Sequence, residues 1–252
     1  MNEICFVIFG ILFIFFMTTL GAFTIIFSKK SNKSIYQNIF LSFAGGVMLA
    51  ASFFSLIIPS FTYSENIDIN KVFPALFGVL FGSLFILIFD IILSKKSKNN
   101  NYKNQKLFMA MMIHNIPEGL SVGLTFGLAL SSYEGVSIIS ALIFALGIGF
   151  QNFPEGAALA LPLFEQSKSK KQAILLTILS GVVEPLFALI GLLLATKVIY
   201  LMPWALCFGA GSMIYVIVDE LIICSSSVKE KRFINVAFII GFLIMMILDL
   251  CL

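Results

Sequence analysis

The chain has little charge. Charged residues make up 12% of its 252 positions, where a soluble globular domain carries about a quarter. No polar stretch is long enough to fold as a separate soluble domain, so residues 1–252 read as a single membrane domain. The four cysteines, Cys5, Cys207, Cys224 and Cys251, include no CxxC pair. That spacing suggests neither a disulfide framework nor a thiolate zinc site, and the three cysteines inside apolar segments read as small hydrophobes. There is one histidine and no HExxH motif. A metalloenzyme needs several ligands, a general base and an open coordination position, so an enzyme is not expected. The net charge of +3 suggests an anionic partner, but the lysine positions account for it without nucleic acid.

Apolar residues are abundant instead. Sixty per cent of the residues are hydrophobic and the mean hydropathy is +1.04. The excess is too large for a core of this size, and a lipid bilayer must solvate much of it. A spanning helix takes roughly 20 apolar residues. Eight segments qualify, near 4–27, 39–60, 72–93, 107–131, 135–162, 172–196, 201–224 and 234–252. In lipid each run must satisfy its own backbone groups, which makes it a helix. The first is expected to be a span and not a cleaved leader, because Lys29 and Lys30 follow it and no positive region precedes it.

Lysine and arginine then predict the topology. Lys29, Lys30 and Lys33 fall after the first run, and Lys95, Lys96, Lys98, Lys103 and Lys106 after the third. Lys168, Lys170 and Lys171 follow the fifth, and Lys229, Lys231 and Arg232 the seventh. Only Lys71 and Lys197 lie in the opposite loops. The positive-inside rule makes the first set cytoplasmic and puts both termini outside. The fold class expected is therefore all-α, polytopic, with eight transmembrane helices. The stretch Ser94–Lys106, rich in Lys and Asn, reads as a flexible cytoplasmic loop; contact with anionic lipid is the other reading.

Ionisable groups inside a bilayer are costly and are functional candidates by default. Here they concentrate in a repeated pattern. The fourth run contains His114-Asn115-Ile116-Pro117-Glu118-Gly119 and the fifth Gln151-Asn152-Phe153-Pro154-Glu155-Gly156, 37 residues later, with four identities in six positions. Residues four apart share a helix face, so His114 sits beside Glu118 and Gln151 beside Glu155, with Asn115 and Asn152 on an adjoining face. Two such helices packed together offer a four-ligand N/O set, His114, Glu118, Gln151 and Glu155, suited to zinc and other divalent first-row metals. Alone, His114 would read as a hydrogen-bonded packing residue; the pairing makes it a candidate ligand.

Pro117 and Pro154 cannot donate to the carbonyls of Ile113 and Phe150. Each should kink its helix and expose an oxygen, which a membrane tolerates only against protein or a wet cavity. Gly119 and Gly156 then allow close backbone approach. Glu184, in Gly181-Val182-Val183-Glu184-Pro185 of the sixth run, could complete a second metal position with Asn115, Asn152 and the two glutamates. Asp219 and Glu220 near the end of the seventh run read as water-facing or transit groups, and Asp90 and Asp249 as interfacial.

At these residues the sequence resembles the ZIP family of divalent metal transporters, in the bacterial-type branch often called GufA-like. The runs Ala44–Ser52 and Gly209–Leu221 are similar to that family too. The resemblance implies a ZIP-like bundle with a binuclear site. His114, Glu118, Gln151 and Glu155 match one metal; Asn115, Glu118, Asn152, Glu155 and Glu184 match the other. It further implies uptake toward the cytoplasm, an elevator-like motion of the site helices and a homodimer. Ser52, Ser55 and Glu220 would be weaker contacts along the path. It also points to a bacterial inner membrane, to Zn2+ as cargo with iron, manganese or cadmium as fits, and to no prosthetic group. Two departures matter: Gln151 stands where many members have His, and Asn152 where some have a carboxylate. Neutral amides bind divalent ions less strongly, which weakens the second position. The histidine-rich cytoplasmic loop of many relatives is missing too. The rival reading from the residues alone is a proton-coupled carrier of a small organic solute using Glu118, Glu155 and Glu184.

Overall fold

The computed structural model describes residues 3–27, 35–96, 102–132, 135–167, 169–222 and 231–251, which are helical almost throughout. Lys29, Lys30, Lys33, Lys98, Lys168, Lys229, Cys224 and part of the Ser94–Lys106 stretch lie outside the described residues, as do the side chains of Lys96, Lys103, Lys106, Lys197 and Glu220.

Each apolar run forms a rod. Helix α1 (Glu3–Ala22) closes in a 3₁₀ turn, Phe23–Ile26. Helix α2 begins as Ile35–Ala51, passes through a π-helical turn, Ser52–Ile57, and continues as Ile58–Asn66. Helix α3 starts with the π-helical turn Pro74–Gly78 and runs on as Val79–Lys96. Helices α4 (Tyr102–Leu130) and α5 (Ile138–Ser167) carry the repeated motif. Helix α6 is in two pieces, Lys170–Gly181 and Val183–Val198. Helix α7 (Met202–Val216) ends in a π-helical turn, Ile217–Ile222, and α8 is Lys231–Cys251.

Among the described residues, seven of these rods contain a stretch long and apolar enough to cross a membrane. Helix α4 is the exception, although it is 29 residues long. Its apolar run is interrupted by His114, Asn115 and Glu118, which lower its hydropathy where the chemistry is concentrated. The helices pack in pairs: α1 along α5, α4 along α6, α2 along α8 and α3 along α7. Helix α4 also touches α5 and α7, and α2 touches α5, joining the pairs.

The outer surface is apolar. Helix α3 turns Phe73, Phe77 and Phe81 outward in a stacked ladder, with ring centroids 6.3 and 6.1 Å apart. In water such a surface would drive association; in a bilayer it is the lipid contact. The interior is largely apolar but encloses a polar group. His114, Asn115, Glu118, Gln151, Asn152, Glu155 and Glu184 are all buried.

The α-helical pattern continues through Pro117 and Pro154. The interruption falls in α6 at Val182, just before Glu184-Pro185, where Val182 N donates to Ile178 O at 3.0 Å. A proline removes one backbone donor, and there the loss divides the rod.

Candidate metal centre

Two glycines bring the helices together at the motif. A Cβ on Gly119 would collide with the carbonyl oxygen of Glu184, and one on Gly156 with that of Thr18. Without those Cβ atoms, α4 lies directly against α6 and α5 against α1, so the polar side chains next to the glycines converge.

The first cluster crosses the α4–α5 contact. His114 Nε2 lies 3.3 Å from Glu118 Oε1, one turn along its own helix, and 3.3 Å from Glu155 Oε2 on the facing one. The Gln151 amide donates from Nε2 to Glu118 Oε1, so it reaches the glutamate of the other helix and not Glu155 of its own. His114, Glu118 and Glu155 each present a ligand atom within 4.8 Å of the other two, all three side chains buried. Two ligands on a tetrahedral zinc at about 2.1 Å would sit about 3.4 Å apart, close to the observed His–Glu spacings.

The second cluster adds α6 and α1. Asn152 Nδ2 donates to Glu184 Oε2 at 2.6 Å, and more weakly to Ile14 O at 3.4 Å. Thr18 Oγ1 donates to the other carboxylate oxygen, Glu184 Oε1, at 2.9 Å. Asn115 turns its Nδ2 to the Ser180 carbonyl at 3.1 Å. The structure thus joins Asn152 to Glu184 directly, and ties Asn115 to the α6 backbone just ahead of the break.

Buried polar atoms ordinarily have partners, and a bare one costs about 1–3 kcal/mol. Here His114 Nδ1, Asn115 Oδ1, Glu118 Oε2, Gln151 Oε1 and Asn152 Oδ1 have none. Except for His114 Nδ1, each is an oxygen that can accept only from a donor or a cation. Such a concentration of unsatisfied acceptors suits a positively charged guest.

Thr18 escaped the sequence reading, although a signal existed: Thr18-Thr19 is a polar pair within the apolar run of α1. Of the residues expected as weaker path contacts, Ser52 and Ser55 make their bonds outside these two clusters, and the Glu220 side chain lies outside the described residues. Ser52 Oγ donates to Met48 O at 2.8 Å and lies 3.2 Å from Met213 Sδ, and Ser55 Oγ donates to Asp249 Oδ1 at 2.9 Å.

Residues 94–249 match the model of a protein family described as ZIP Zinc transporter. The Zinc transporter GufA of Myxococcus xanthus is 37% identical over 144 residues, covering 57% of this chain and 54% of that protein. The human Zinc transporter ZIP11 is 34% identical over 143 residues, 57% of this chain and 42% of its own length. The chain therefore spans about half or less of these relatives. The Zinc transporter ZupT of Chlorobium chlorochromatii is 30% identical over 91% of both chains.

Proposed function

This chain belongs to the ZIP zinc transporter family, and on that premise we propose that it carries divalent metal ions, zinc foremost, toward the cytoplasm through the buried site on α4, α5 and α6. The observation that carries the reading is the His114–Glu118–Glu155 convergence, three buried ligand atoms within 4.8 Å of one another. The unpartnered oxygens of Glu118 and Gln151 beside it support the same reading. Imidazole with carboxylate is a borderline-soft donor set that suits zinc, and iron, manganese and cadmium accept similar ligands.

In this reading His114, Glu118, Gln151 and Glu155 hold one ion, and Asn115, Asn152 and Glu184 together with the two shared glutamates offer the second position. The entering ion exchanges its water for these side chains. Protonation of the glutamates weakens their hold, because metal ligands bind deprotonated, and release follows. Helix α4 serves as an eighth span, its polar motif turned to the interior, and the loop lysines set both termini outside. The bacterial relatives favour a bacterial cell membrane, and the protein works as a homodimer.

The test is metal uptake into proteoliposomes across a zinc, iron, manganese and cadmium panel, with Glu118→Ala and Glu155→Ala alongside. Uptake of at least one metal, lost in both variants, is expected. Uptake that survives both substitutions would leave a transporter with its site elsewhere. No uptake by folded, correctly oriented wild-type protein would sink the metal reading and favour an organic-solute carrier.

A further inference from the structure

Thr18 lies on the buried face of α1, among apolar residues and glycines that pack along α5, and it is 1% exposed. A mid-helix threonine ordinarily satisfies itself on the carbonyl four residues back, and Ile14 O is available at 3.3 Å. The hydroxyl has one hydrogen to give, and Glu184 Oε1 is the nearer acceptor at 2.9 Å. Helix α1 supplies none of the candidate metal ligands, so this contact is its only polar link to Glu184 among the described residues.

The two ends of the side chain do separate things. The methyl packs toward Gly181, where an added Cβ would come within 3.1 Å of Thr18 Cγ2. The hydroxyl reaches Glu184, three residues farther along and just past the break in α6. Asn152 donates to the opposite carboxylate oxygen at 2.6 Å. Glu184 is therefore gripped from α1 on one side and α5 on the other. Glu118, by contrast, keeps one oxygen without a partner. Glu184 stands in the first turn of the second piece of α6, and both of its carboxylate oxygens are held by donors from neighbouring helices.

We propose that Thr18 is a positioning residue for metal passage, its hydroxyl holding the Glu184 carboxylate in the orientation that meets the ion; this rests on the transport reading given above. Thr18→Val keeps the shape and the methyl contact and deletes the hydroxyl. Thr18→Ser keeps the hydroxyl and deletes the methyl. Thr18→Val is expected to raise the KM for zinc uptake about tenfold, the order of one lost hydrogen bond to a charged group, with a much smaller change in maximal rate. Thr18→Ser is expected to behave as wild type. In the metal-free protein, the infrared carboxyl band that vanishes in Glu184→Gln should shift in Thr18→Val and stay in place in Thr18→Ser.

A wild-type KM in Thr18→Val, or an unmoved carboxyl band, overturns the assignment of Thr18 while wild-type uptake leaves the transport reading standing. Impairment of Thr18→Ser equal to that of Thr18→Val reduces Thr18 to packing and overturns it as well. Absence of uptake by the wild type overturns the transport reading and the role of Thr18 in passage with it. The band shift then still reports whether the Thr18–Glu184 contact exists.

Discussion

His114 on α4 reaches Glu155 on α5, Nε2 to Oε2 at 3.3 Å, while Gln151 on α5 reaches back to Glu118 on α4. The two copies of the motif are thus crossed, each helix placing its first motif residue on the glutamate of the other. The His114, Glu118, Gln151 and Glu155 donor set therefore forms only where α4 meets α5, because neither helix assembles it alone.

Position 151 should tune affinity. Its amide offers a neutral oxygen, Gln151 Oε1, with no partner in the structure. Gln151→His would put an imidazole there, a better ligand for zinc, and is expected to lower the KM for zinc by up to about tenfold. Gln151→Ala should raise it. Concentration-dependent uptake in proteoliposomes measures both, and an unchanged KM in the two variants would remove residue 151 from the ligand set.

Acid should weaken uptake. His114, Glu118 and Glu155 can hold a metal only in their deprotonated forms, so protons and metal compete for the same atoms. The sign follows: as pH falls the apparent KM for metal rises, and as pH rises it falls toward a plateau. Initial rates across a metal series at several pH values provide the check; a KM flat with pH would count against metal held by these carboxylates.

Helix contact at the motif should be intolerant of volume. Gly119→Ala would drive a methyl into the backbone of Glu184, and overpacking of this kind costs about 1–3 kcal/mol. Its thermal melting in detergent should fall below that of wild type. Leu193→Ala, at a side chain 80% exposed on the outer surface, should leave melting nearly unchanged. Equal melting of the two variants would show that α4 and α6 can separate freely at this point.

One hydrogen bond joins α2 to α4 away from the motif, Tyr63 Oη to Thr125 Oγ1 at 3.0 Å. Tyr63→Phe removes it at nearly constant volume and is expected to destabilise by about 1 kcal/mol. Thr125→Val should cost a similar amount and the double variant little more than either, since paired residues are not additive. Fully additive losses would mean that the two hydroxyls do not depend on each other.

The sequence alone determined the helices and the residues of interest, because both follow from local chemistry. An apolar run must close its hydrogen bonds within itself, so the rods could be drawn before any packing was known. Helical spacing put His114 one turn from Glu118, and the repeat singled out the counterpart residues on the next helix. Partner choice was decided by tertiary structure alone. Gln151 bonds Glu118 across the interface and not Glu155 on its own face; Asn115 turns to the Ser180 carbonyl; Thr18 of α1 joins Glu184. The break likewise falls at Val182 of α6, while Pro117 and Pro154 sit in continuous helix. Periodicity fixes which residues share a face of one helix. Which faces meet, and at what height along the axes, depends on the packing of whole helices and on the few glycines where backbones can touch.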